Sequence, residues 1–267
     1  MKRRYRIVFV TAGALILAAA GVAAQRGERL SDKEVKDIID AVDTGRDKFE
    51  GNLDGGFKGS TLRGPNGETK VSGALQDYQD STKKLQERFK PDYSASAEVA
   101  AVLRQSTRID AFMSGPTSPT KGRNEWDRQA ANLKRLAEAY GTTFPLPDGA
   151  TVRRMNDKES SDVAGAIVSQ AEQVKRAADA DKTLAKPEQQ ALKTDVEAVI
   201  KQAKTLQSRL KDGKPATADG RALKEKVAAL TGSGRQLPPP VLSAIGAMRA
   251  PLEKLDQAFG MARAATP

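Results

Sequence analysis

The chain has 267 residues, with 44 lysines and arginines against 34 aspartates and glutamates, and it contains neither cysteine nor histidine. The lack of cysteine excludes disulfides, thiolate nucleophiles, haem attachment through CxxCH and zinc sites built on cysteine and histidine. The lack of histidine removes the commonest general base and the Ser-His-Asp triad. Composition therefore limits the chemistry by exclusion and assigns no function by itself.

The first 24 residues have the three-part layout of a secretory signal. Basic residues come first, residues 7–20 are apolar, and Val22-Ala23-Ala24 precedes the polar Gln25. We expect a signal peptide over 1–24, cleavage after Ala24, and a periplasmic or secreted protein. The alternative is an uncleaved membrane anchor, since the apolar run approaches the roughly 18 residues that can span a bilayer.

The positive charge comes partly from this segment. Without its four basic residues, 40 lysines and arginines remain against 34 acids, and the excess is scattered. We expect no nucleic-acid partner, and membrane contact only through the signal segment if it is uncleaved. A protein or an anionic envelope component stays open as a partner.

A helix is predicted to begin after Ser31, because Ser31 and Glu34 have the spacing of a capping box and apolar residues follow from Val35 at helical intervals. Its opposite face is acidic. We interpret that face as solvated. The alternative is a docking face for a basic partner or a divalent cation, although the spacing selects no metal. The acidic residues are Asp40, Asp43, Asp47, Glu50 and Asp54.

Residues 54–70 are rich in glycine and interrupt the helical pattern. The Pro65-Asn66-Gly67 turn predicts a small hairpin between residues 61–63 and 68–70. A phosphate-binding loop is disfavoured, because no GxxxxGK[ST] motif is present and no strand precedes the loop. We expect a long surface connection.

Helical periodicity then continues to the C-terminus. Asn124 is predicted to cap the helix that carries Trp126, a residue we assign to the core rather than to a stacking or carbohydrate-binding spot. Gly141 and Gly213 are predicted helix stops. The proline-rich stretch 142–148 is the best internal boundary. Further helices are predicted over 71–89, 95–113, 187–210, 223–230 and 245–259. Asn156 and Glu159 offer a second capping-box-like start for a helix that continues through Val163 to Ala177.

Three of these helices share an opening pattern that suggests a degenerate internal repeat. Val71, Val163 and Val241 are each followed at the fourth and fifth positions by alanine and by leucine or isoleucine. A second match aligns the stretch from Glu98 with that from Asp195. The pattern suggests a three-helix period, and two bundles of four helices are equally compatible with eight helices.

The sequence thus predicts an all-α protein with about eight antiparallel helices in two consecutive bundle halves, over 25–147 and 148–267. We assign no catalytic, cofactor-binding or metal-binding residue and no cofactor, because no nucleophile, dinucleotide or metal motif is found. The leading hypothesis is an exported, non-enzymatic interaction or structural protein of the cell envelope. The alternatives are a periplasmic helical chaperone or stress protein, and a carboxylate-dependent hydrolase. Oligomeric state and the independence of the halves are left open.

Overall fold

The computed structural model describes residues 29–64, 67–115, 119–231 and 235–261, so the predicted signal segment lies outside the described residues. Within these ranges the protein is all-α apart from one two-stranded hairpin, and its helices form two consecutive antiparallel bundles. None of the described helices combines the length and the apolar character needed to cross a bilayer.

The N-terminal bundle consists of four long helices in a closed ring. Helix α1 packs against α3 and α5, and α4 packs against the same two helices. Ser31 and Glu34 form the predicted capping box at the start of α1. Between α1 and α3 the chain adds a short helix and the predicted hairpin, and residues 54–70 are called the hairpin insertion. In the antiparallel backbone ladder of the hairpin, residue 63 lies opposite residue 68. The elements are α1 (Asp32–Asn52), α2 (Gly55–Lys58), β1 (Thr61–Gly64), β2 (Gly67–Lys70), α3 (Val71–Arg88), α4 (Ser96–Met113) and α5 (Arg123–Ala139).

The C-terminal bundle repeats this ring with fewer additions. Helix α6 packs against α7 and against the last two helices, and α8 packs against α7 and α10. Asn156 and Glu159 form a second capping box at the start of α6. The elements are α6 (Asp157–Ala180), α7 (Lys186–Lys211), α8 (Thr217–Ala229), α9 (Pro239–Gly246) and α10 (Arg249–Ala258).

Each bundle has its own hydrophobic core. The first core contains buried residues from Val35 to Leu146, and the second contains buried residues from Ala164 to Phe259. Among the described residues Phe259 is the only aromatic side chain in the second core, and the other side chains there are aliphatic. Tight turns at Gly141 and Gly213, both with positive φ, end α5 and α7 as predicted.

The described chain has ten helices, in agreement with the expected number of about eight, because α2 is a single extra turn and the last predicted helix is divided between α9 and α10. Pro251 explains the division, since it has no N–H to donate to the Ala247 carbonyl one turn earlier. Asn124 does not cap α5, because the helix already begins at Arg123 after a cap at Gly122 with φ of 84°.

The predicted three-helix repeat is not confirmed. Val71 is the first residue of α3, Val163 is the seventh of α6 and Val241 is the third of α9. The fourth-position alanine is buried after Val71 but exposed after Val163. The three valines therefore do not occupy equivalent places.

The two bundles match each other in another register. The segments 85–98 and 206–219, LQERFKPDYSASAE and LQSRLKDGKPATAD, share six identical residues without a gap, which relates α3 to α7 and α4 to α8. The ends of α5 and α10 match in the same way, with Ala139-Tyr140-Gly141 against Ala258-Phe259-Gly260. Buried positions coincide along the aligned helices, as for Tyr78 and Val199 in α3 and α7.

The starts of α1 and α6 complete this correspondence. Residues 29–34 read RLSDKE and residues 154–159 read RMNDKE. We call these two segments the arms. They meet face to face, so the N-termini of two helices lie together between the bundles.

Contacts between the arms are reciprocal. Arg29 donates to Asp157 at 2.6 Å and to the Met155 carbonyl at 2.9 Å. Arg154 donates to Asp32 and, at 2.7 Å, to the Leu30 carbonyl. The backbone N–H of each aspartate also donates to the carboxylate of the other, at 2.8 and 2.9 Å. Each helix start thus receives a negative charge from the opposite arm, which offsets the positive end of its dipole.

Candidate functional site

A charged side chain lies inside the N-terminal bundle. Arg46, on the inner side of α1, is 2% exposed. Its Nη2 atom contacts Asp43 at 2.6 Å and Asp47 at 2.9 Å. Its Nε and Nη1 atoms are buried and have no hydrogen-bond acceptor among the described residues. Two of the three guanidinium nitrogens of Arg46 therefore lack a partner among the described residues, which is unusual for a buried guanidinium.

Two further polar side chains from other helices lie in the same core. Gln129 of α5 and Tyr78 of α3 are both fully buried. The Gln129 amide nitrogen donates to the Val42 carbonyl at 2.8 Å and to the Tyr78 hydroxyl. Burial raises the pKa of Tyr78 above its ordinary value, so the phenol stays protonated. A hydrogen-bonded bridge therefore links α1, α3 and α5.

Gly45 makes room for this bridge. A Cβ atom at position 45 would overlap the Gln129 side-chain oxygen. Glycine inside a helix costs roughly 0.5–1 kcal/mol relative to alanine. Its presence in the middle of α1 is explained by the close approach of Gln129.

Glu50 lies one turn after Arg46 and carries another unpaired atom, its buried Oε1. Burial raises the pKa of Glu50, and the neighbouring Arg46 opposes that rise in part. We define the Arg46 cluster as Asp43, Arg46, Asp47, Glu50, Tyr78 and Gln129. Each buried polar atom left unpaired lowers the stability of the folded state by about 1–3 kcal/mol, so the cluster stabilises the core less than apolar side chains would.

The C-terminal bundle has apolar side chains at the corresponding positions and leaves no buried polar atom unpaired there. When the two bundles are aligned through the arms, Ala171 is equivalent to Arg46. The alignments of the later helices make Val199 equivalent to Tyr78 and Met248 equivalent to Gln129. All three are buried and apolar. The fold therefore does not require the Arg46 cluster.

The acidic face of α1 is only partly solvated. Asp40 pairs with Lys36 at 2.5 Å, and the Asp54 side chain accepts from the Gly56 N–H at the start of α2. Asp47 is the most open, with 63% of its side chain exposed. Across the described ranges, no group of three or more acidic side chains is placed to hold a metal ion.

The hairpin insertion closes one end of the N-terminal bundle. Phe57 of α2 contacts Phe112 of α4 with ring centres 4.8 Å apart. Together they line a small cavity with other side chains that are all apolar, so this cavity offers no group for acid or base chemistry. Trp126 is 2% exposed and its ring centre lies 4.9 Å from that of Phe49, which confirms its assignment to the core.

No site residue is predicted from the sequence, and the Arg46 cluster emerges only from the structure. A signal was present, because Arg46 falls between Val42 and Phe49 at the spacing of the buried face of α1. Gln129 likewise falls between Trp126 and Leu133 on the buried face of α5. Polar residues at core positions of an amphipathic helix identify a candidate site.

Comparison with known proteins leaves the fold and the site to be interpreted from their own geometry. No family model matches the chain, and no curated protein or solved structure matches it significantly.

Proposed function

We propose that the protein is an exported, non-enzymatic interaction protein of the cell envelope, in which the N-terminal bundle recognises a partner and the C-terminal bundle supports it. The observation that carries this proposal is the Arg46 cluster, which stands where the equivalent bundle has an apolar core. Natural proteins depart from a well-packed apolar core chiefly at functional sites, so buried polar groups that lower stability support a functional position.

The partner we favour is a polypeptide with a basic segment. Asp43, Asp47 and Glu50 make this part of α1 acidic, whereas the equivalent positions on α6 are Val168, Glu172 and Lys175. In the part of the chain that the structure describes, only the N-terminal bundle has the hairpin insertion. Complementary charge would speed and orient such an encounter, and added salt would weaken it.

Site-specific photocrosslinking in cells tests this proposal with a matched control. A photoreactive residue replaces Asp47, the exposed member of the Arg46 cluster, or Glu172, the exposed equivalent position on α6. We expect a discrete adduct from position 47, weakened by salt in isolated envelopes, and none from position 172. Equal adducts from both positions, or none from either, would contradict the assignment of recognition to the N-terminal bundle.

Export is tested separately. N-terminal sequencing of the protein recovered from the periplasm or medium should begin at Gln25. A chain that stays in the cytoplasm would remove the envelope part of the proposal, whatever the crosslinking result.

A carboxylate-based hydrolase is a second candidate, because Glu50 combines a raised pKa with a neighbouring acid, Asp47. Such enzymes need one carboxyl group that stays protonated near the working pH. Glu50→Gln should then abolish hydrolysis of glycoside substrates by the purified protein. If the wild type hydrolyses none of a broad panel, this candidate fails.

A further inference from the structure

The arms suggest an interaction beyond the contact they make within one chain. Their side chains are well buried at the junction, with Arg29 6% and Asp157 11% exposed, and Arg154 4% and Asp32 14% exposed. Burial of the guanidinium, together with the nearby charge of Arg154, lowers the pKa of Arg29. Buried ion pairs of this kind add little net stability but strongly favour one register.

Each arm also contacts the body of the opposite bundle. The Arg29 N–H donates to the Thr217 hydroxyl at 3.1 Å, and the Arg29 guanidinium lies 5.1 Å from the centre of the Phe259 ring. In the other direction, the Arg154 N–H donates to the Ser96 hydroxyl at 3.4 Å. Ser96 and Thr217 are the first residues of the equivalent helices α4 and α8.

Each group that an arm contacts on the opposite bundle therefore has an equivalent group on the bundle that carries the arm. The C-terminal bundle carries the donor Arg154 together with Asp157, the Met155 carbonyl, Thr217 and Phe259, the set of groups that receives Arg29. A surface that holds both halves of a reciprocal contact is complementary to itself and can form an isologous pair.

We propose that each bundle presents a self-complementary docking face, formed around its arm, whose second partner is the same face on another copy of this chain. Within one chain the two faces occupy each other. Between chains, Arg154 of one copy would pair with Asp157 of the other, and Arg29 with Asp32.

Packing explains why the contact within one chain prevails. Each extensively packed pair of described helices lies inside one bundle, and the side-chain hydrogen bonds between the described parts of the two bundles are made by arm residues. A contact built mainly on two short segments is weak between separate molecules. The short connection between the bundles raises their effective concentration to roughly the millimolar range, which favours closure within the chain.

Charge inversion in the full-length chain tests the proposal. The half-inverted variant, Arg29→Asp/Asp32→Arg, places like charges across the junction within the chain but leaves opposite charges between identical bundles of two copies. The fully inverted variant adds Arg154→Asp/Asp157→Arg and restores opposite charges within the chain. Both variants carry the same unfavourable arginine at the start of α1, and the fully inverted variant carries a second one at the start of α6. Wild-type behaviour of the fully inverted variant would therefore not come from a milder change at the helix starts.

Sedimentation equilibrium over increasing concentration gives the readout. We expect the mass of the half-inverted variant to rise with concentration toward that of a dimer or a larger assembly, and the mass of the fully inverted variant to follow the wild type. A half-inverted variant with the wild-type mass overturns the proposal. Self-association of the fully inverted variant also overturns it. Any disturbance of the contact between the arms would then be sufficient to cause association, whatever the charges on the arms.

Far-UV circular dichroism checks that both variants stay helical. If the half-inverted variant does not fold, Asp32→Lys and its partner Asp32→Lys/Arg154→Glu ask the same question with smaller changes. The first should associate through its C-terminal faces, and the second should not. The proposal fails if their masses are equal.

Discussion

The two bundles have matching buried positions but differ in what fills them. The N-terminal core uses Trp126, Tyr78 and most of the other aromatic side chains, and it encloses Arg46 and Gln129. The C-terminal core is aliphatic at the equivalent places, with Ile245, Val199, Ala171 and Met248. The same ring of helices is therefore compatible with both kinds of interior.

This difference separates what the fold needs from what it only tolerates. Buried apolar positions and the capping boxes occur in both bundles, so they belong to the architecture. The Arg46 cluster, Gly45 and the hairpin insertion occur in one bundle, so they require a reason other than folding. Substitutions that make one bundle resemble the other test this division.

The largest effect is expected from Trp126→Ala. It removes a buried ring and the hydrogen bond from its Nε1 to Asp110 at 2.9 Å, which should lower the free energy of unfolding by about 3–5 kcal/mol. Ile245→Ala is the equivalent change in the C-terminal bundle and should cost less. Urea unfolding followed by circular dichroism measures both.

These two variants also report on the independence of the bundles. Because the cores are separate, we expect each variant to shift one unfolding transition and to leave the other in place. If both variants shift a single common transition, the junction between the arms couples the bundles into one cooperative unit.

A smaller loss is expected from Gly45→Ala. The new methyl group must displace the Gln129 side chain from two hydrogen bonds, so we expect a net loss of about 1–3 kcal/mol despite the better helix propensity of alanine. Gly73→Ala is the control, because a Cβ at Gly73 meets nothing within 4 Å. It should be neutral or stabilising by roughly 1 kcal/mol.

A double-mutant cycle sharpens that result. In a Gln129→Ala background the Gly45→Ala substitution should no longer destabilise, since the overlapping oxygen is gone. Additive losses would show that Gly45 is needed for a reason unrelated to Gln129.

Local patterns predicted much of this architecture. Both capping boxes, the hairpin register and the stops at Gly141 and Gly213 depend on residues close in sequence, and the structure contains them. The predicted repeat relied on a valine and alanine pattern that is common to amphipathic helices, and it therefore aligned helices that are not equivalent. The junction could not be predicted, since Arg29 and Asp157 are 128 residues apart and neither arm alone shows what it contacts.

A near-neutral effect is expected from Arg46→Met. Methionine fills a similar volume without burying a charge, and Asp43 and Asp47 keep contact with water, so stability should change by no more than about 1 kcal/mol or should increase. Thermal unfolding measures this change, and the photocrosslink from position 47 measures recognition. Loss of the adduct with unchanged stability supports a functional role for Arg46. A large loss of stability would instead make Arg46 part of the architecture.

The smallest effect concerns the pH dependence of Glu50. Its folded pKa is raised above the ordinary value of 4.5, mainly by burial. The folded state therefore binds this proton more tightly than the unfolded state does, and the resulting stabilisation is complete below pH 4.5 and is lost as pH rises through the folded pKa. Glu50→Gln removes this dependence, because its side chain does not titrate.

We therefore expect the free energy of unfolding of Glu50→Gln, relative to the wild type, to increase with pH across that window and then to stay constant. Denaturant titrations at a series of pH values measure the difference. Glu172→Gln, on the exposed face of α6, is the control for the loss of one carboxylate elsewhere in the chain, and the increase assigned to Glu50 is the part that exceeds it. Parallel curves for wild type and Glu50→Gln would mean that water reaches the Glu50 carboxyl freely. The acidic end of the Arg46 cluster would then be surface in character, and the contrast between the bundles would reduce to Arg46, Tyr78 and Gln129.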